Sequence, residues 1–124
     1  MKLDIPCDDA KSRLLLEEFK ASCQKGWFFE TLRWDDGGSL IYKFFLVTLS
    51  EQAEIDGKKF VRYHGWVEAS EAPGVINVKA AGDLEKFLDA ELQQELIQRF
   101  HDDVVEPVCK RHRATARLSS DSHL

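Results

Sequence analysis

Residues 27–49 read WFFETLRWDDGGSLIYKFFLVTL, and the order of the fold is set there. Trp27 to Trp34 is rich in aromatic and β-branched residues, which suit a pleated and half-buried surface. Asp35-Asp36-Gly37-Gly38 follows, a cluster whose Asp-Gly and Gly-Gly steps supply the positive φ angles of a tight hairpin. Ser39 to Leu49 then alternates, with Leu40, Tyr42, Phe44 and Leu46 on one side and Ile41, Lys43, Phe45, Val47 and Leu49 on the other. Both sides are mostly apolar, so this strand is expected near the middle of a sheet, largely covered.

The same rules extend outward in both directions. Ser50 to Gly57 is a polar connection, Lys58 to Glu68 a third strand, and Ala72-Pro73-Gly74 a turn into a fourth strand, Val75 to Ala80. Connectors this short leave no room for a crossover helix, so the four strands form an antiparallel meander. Upstream, Leu15, Phe19 and Cys23 recur every fourth residue behind Asp8 and Asp9, which predicts a helix from Asp9 to Lys25 closed by Gly26. Downstream, Leu84, Leu88, Leu92, Leu96, Phe100 and Val104 repeat every four residues. A strict four-residue repeat drifts around a 3.6-residue turn, and a break near Asp89 into two helices removes the drift. Pro107 should stop or kink the helix before Glu106. The expected architecture is α+β: an N-terminal helix, a four-stranded antiparallel meander, and a C-terminal helix or helix pair packed on one sheet face. Residues 1–113 make one domain and 114–124 a flexible tail.

The chain has 124 residues, 44% apolar and 31% charged, with eight Phe, three Trp and two Tyr. That supply of rings supports a core without metal or disulfide staples. Cys7, Cys23 and Cys109 are odd in number and far apart, a poor disulfide framework. With no apolar run at the N-terminus or of spanning length, the expected location is cytoplasmic and no membrane is engaged. The charge is uneven: residues 1–109 hold 13 Lys and Arg against 21 Asp and Glu, while Lys110, Arg111, Arg113 and Arg117 face only Asp121. An acidic body repels a phosphate backbone, so nucleic acid is an unfavourable partner.

Motifs for chemistry are sparse. His101-Asp102-Asp103 with Glu106 is the densest titratable group. Neighbours on a regular helix point about 100° apart, so His101 and Asp102 should not converge on one ion; only Asp102 and Glu106 share a face. Cys109 and His112 form a lone Cys-x-x-His with no matching second pair, and Cys7 stands where a helix dipole can lower a thiol pKa. No glycine loop stands between a strand and a helix, and no serine elbow occurs, so no cofactor and no metal are expected. The third strand differs from ordinary core. Its alternation puts Phe60, Arg62, His64 and Trp66 on one side, residue types enriched at binding surfaces. The expected function is a non-catalytic protein-binding module of the size and charge of chaperone, immunity or inhibitor-like adaptors. It would act on another protein or as a homodimer through Phe44, Phe60, Arg62, His64 and Trp66, with His64 as a source of pH sensitivity. A small-ligand domain with a pocket between sheet and helices is the alternative, and an enzyme is the weakest of the three.

Overall fold

The computed structural model describes residues 2–23, 26–33, 40–46, 50–63, 65–82 and 90–119. Among the described residues eight strands and three α-helices are formed: β1 Lys2–Pro6, α1 Asp9–Ala21, β2 Trp27–Arg33, β3 Leu40–Leu46, β4 Ser50–Ile55, β5 Lys58–Tyr63, β6 Gly65–Ala72, β7 Val75–Gly82, α2 Ala90–Phe100, α3 Glu106–Arg111 and β8 Arg117–Ser119, with a π-helical turn at His101–Val105. Six strands join one antiparallel sheet in the order β2-β3-β6-β7-β1-β8, and β4 pairs with β5 alone. The α+β class and the meander β2-β3-β6-β7 are as the sequence dictates.

The strand count is higher than four, for identifiable reasons. Leu3 and Ile5 alternate with Lys2, Asp4 and Pro6, so β1 buries two side chains and closes the sheet beside β7. Arg117–Ser119, in the stretch expected to fray, pairs with β1 at the edge. The polar stretch from Ser50 is itself a strand. Asp56 and Gly57 both take positive φ, 53° and 79°, as a two-residue hairpin turn requires, and the flanking Ile55 and Lys58 pair directly. The third strand foreseen as one piece is two, β5 and β6, which belong to different sheets.

One face of the sheet meets all the helices. Leu3, Ile5, Tyr42, Phe44, Leu46, Val67, Ala69, Ile76 and Val78 from the strands pack with Leu15, Leu16, Phe19, Leu96, Ile97, Phe100, Val104, Val105 and Val108. Phe100 is the centre, its ring 4.7 Å from Phe44, 5.4 Å from Trp27 and 6.1 Å from Phe19. The Trp27 indole N–H donates to Asp103 Oδ2 at 2.9 Å, so an amphipathic ring is buried with its polar edge satisfied.

Helix α1 starts on Asp8, whose carboxylate accepts the Lys11 N–H at 2.8 Å, and it ends at Ala21, earlier than Lys25. Gly26 does take a positive φ of 94°. At the other end the regular α-helix does stop ahead of Pro107, at Phe100, but the chain stays helical through a π-turn into α3. Pro107 has no N–H to give the Asp103 carbonyl, and the hydrogen-bond register lengthens through the preceding turn, where the Glu106 N–H reaches the His101 carbonyl. The break expected near Asp89 lies outside the described residues. Among the described residues no helix is long and apolar enough to cross a membrane.

Candidate functional site

The outer sheet face, away from the helices, carries a row of rings across three strands. Phe28 and Phe45 are cross-strand partners and stack with centroids 5.2 Å apart. Trp66 lies 5.9 Å beyond Phe45, and the Lys43 ammonium sits 4.6 Å from the Trp66 ring centroid. Such a cation over an indole contributes on the order of 0.5–1 kcal/mol where water reaches it. Phe45 is buried in the row, whereas Phe28 is 38% exposed. The indole nitrogen of Trp66 is buried and has no hydrogen-bond partner among the described residues. Beside the rings runs a polar row of both signs, in which Glu68 pairs with Lys43 on one side and Lys79 on the other, with Lys2 next.

Of the five residues expected to form one surface, Phe44, Phe60 and Trp66 lie in three different places. Trp66 is on the outer face as foreseen. Phe44 belongs to the core: it is fully buried on the helix side against Phe100, because it has the opposite parity from Lys43 and Phe45. Phe60 is 41% exposed but lies on β5, opposite Ala53 in the two-stranded ribbon. Arg62 pairs with Glu51 in that ribbon, and His64 lies outside the described residues. Phe28 and Phe45 complete the row that the sequence pointed to through Trp66 alone. The turn expected at Asp35 to Gly38 lies outside the described residues, but the pairing of β2 with β3 was the available signal, since any register that buries Trp27 and Phe44 together sends Phe28 and Phe45 to the other side.

Two rim clefts are present. One, of about 690 Å³, lies between the start of α1 and the β6–β7 turn and is lined by Asp9, Arg13, Glu71 and Pro73. Glu71 is already engaged there, accepting from Arg13 Nε at 3.1 Å and lying 3.0 Å from the Ser12 hydroxyl. The other, of about 310 Å³, is lined by His101, Glu106, Cys109, Lys110 and Ala114 to Ala116. The first opens at the rim between α1 and the end of β6, while the facing core residues Leu15, Leu16, Phe19 and Phe44 are fully buried.

The π-helical turn corrects the expectation for His101. Its Nδ1 lies 2.9 Å from Asp102 Oδ1, and the i to i+5 register brings Glu106 over His101. Ligand atoms of His101, Asp102 and Glu106 all fall within 4.8 Å of one another. The hydrogen bond from His101 holds Asp102 below the usual carboxylate range, helped by Gln98, against a small opposing cost of burial. Cys109 is buried beside this cleft, and burial pushes its thiol up to about 11; burial does the same to Cys23. Cys7 is raised as well, by burial first and then by Asp8, so the helix dipole does not activate it. His112 turns away from Cys109 toward Glu18, at 3.7 Å.

No protein family matches the chain, and no curated protein or solved structure does so either.

Proposed function

We propose that this chain is a protein-binding module whose contact surface is the outer sheet face, and that its partner there is a second copy of itself. The observation that carries this is the ring row Phe28, Phe45 and Trp66, on the sheet face opposite the described helices. Rings grouped with a lysine above them have the composition of an interface centre. The polar row holds Lys43, Glu68 and Lys79 in alternating sign, which a two-fold-related copy can match at this face despite the net negative charge of each chain.

Sedimentation at micromolar concentration tests it. The wild type should run as a dimer, Lys43→Glu should shift it to monomer, and Lys43→Glu with Glu68→Lys should restore the dimer in part. A monomeric wild type across that range would overturn the reading.

A further inference from the structure

We propose that His101, Asp102 and Glu106 form a binding site for one divalent transition-metal ion at the π-helical turn. The turn is what makes the site. On an α-helix these three positions diverge, whereas here the Glu106 N–H reaches back five residues to the His101 carbonyl and stacks the two side chains. His101 Nδ1 and Asp102 Oδ1 lie 2.9 Å apart, the spacing of two ligands at right angles, each about 2.0–2.2 Å from a metal. The whole set spans no more than 4.8 Å, against roughly 3.4 Å between ligands of a tetrahedral ion. Asp102 and Glu106 are exposed and closing the difference costs only side-chain rotation, while His101 is mostly buried and serves as the fixed point.

The donor set fits this class of ion. One imidazole and two carboxylates neutralise a divalent charge and favour zinc, manganese, iron or cobalt over calcium, which prefers six to eight oxygens. Gln98 Nε2 donates to Asp102 Oδ1 at 3.1 Å and orients that carboxylate from one turn below. Three protein ligands leave at least one position for water. His101 and Glu106 also line the cleft of about 310 Å³ with Cys109 and Lys110, so that position has space and access. The site is separate from the outer sheet face and does not depend on dimerisation.

The test uses the full-length protein and bare ions. Zinc titrated in competition with a chromogenic chelator should bind one ion per chain, and His101→Ala and Glu106→Gln should each weaken it at least tenfold without changing circular dichroism. Because the three thiols can take zinc on their own, manganese is the second probe. In the wild type it should broaden amide signals of residues 98–106 selectively in a nitrogen–proton correlation spectrum. That measurement decides the matter if either variant fails to fold. No binding below millimolar concentration, zinc affinity unchanged in both variants, or manganese broadening centred elsewhere would each overturn the site.

Discussion

The hairpin that runs from β3 through β4 to β5 and back along β6 contains two regions built alike and treated oppositely. In the inner region β3 and β6 pair between Ile41 and Phe44, and Tyr42, Phe44, Val67 and Ala69 are all buried. In the outer ribbon β4 and β5 pair over six residues each, yet Ile55 is 62% exposed, Val61 52% and Phe60 41%. Backbone pairing is equally regular in both. What differs is the third layer: β3 and β6 have neighbours on both edges and helices on one face, whereas β4 and β5 touch chiefly each other. The lesson is that ladder hydrogen bonds set the course of a chain, while burial decides its stability, because an isolated two-stranded ribbon is marginal in water. The register also shifts between the two regions. Six residues separate Phe44 from Ser50, but four separate Tyr63 from Val67.

The strongest way to break this comparison is to cut the same ring from each region. Phe100→Ala, which removes the ring that Phe44 and Trp27 pack on, should cost about 3–5 kcal/mol in urea unfolding. Phe60→Ala should cost less than about 0.5 kcal/mol. A loss above about 2 kcal/mol at Phe60 would mean that the ribbon is part of the core.

A smaller effect is expected where a polar edge is buried with a ring. Trp27→Phe removes the donor to Asp103 at 2.9 Å and should cost about 1–2 kcal/mol. An unchanged midpoint would show that the bond is made equally well by water.

The body alone should respond to alkali through its buried thiols. Burial raises Cys23 and Cys109 to about 11 from 9.0, so between about pH 9 and 11 the folded chain keeps protons that the unfolded chain has given up. Unfolding then releases protons, and stability falls as pH rises through that window. Cys109→Ala should flatten the decline in unfolding free energy measured from pH 8.5 to 10.5. An equally steep decline in that variant would assign it elsewhere.

The smallest global effect is expected at the ribbon's turn. Gly57 has φ of +79°, which costs a side chain about 1 kcal/mol, but Gly57→Ala should move overall stability by less than about 0.5 kcal/mol. Hydrogen exchange should locate the damage: amides of Ser50–Tyr63 would exchange faster, and those of β3 and β6 would not change. Accelerated exchange in β6 would join the two regions into one cooperative unit.

How much of this was legible depends on the residue. The N-cap at Asp8 and the parity of Tyr42 against Lys43 are local facts, written in a few adjacent letters. β4 was harder, because SEQAEI has little strand propensity; yet the Asp56-Gly57 pair between Ile55 and Lys58 was a hairpin signal. Grouping Phe60 with Trp66 failed because alternation along one strand says nothing about where that strand changes partners. Phe28 and Phe45 could be joined to Trp66 only through pairing across three strands.

By itself, then, the sequence determined the α+β class and the order of the central strands. These follow from period-2 and period-3.6 patterns and from turn residues, all of which act within about ten residues of chain. The tertiary structure alone decided that β5 and β6 part company, that Phe28, Phe45 and Trp66 form one row, and that the chain stays helical past Pro107 through a π-turn. Each of these is settled by competition between distant segments for the same burial. Phe100 must reach Trp27 and Phe44 while the chain beyond it still buries Val104, Val105 and Val108, and the turn that satisfies both is the one that brings His101, Asp102 and Glu106 together.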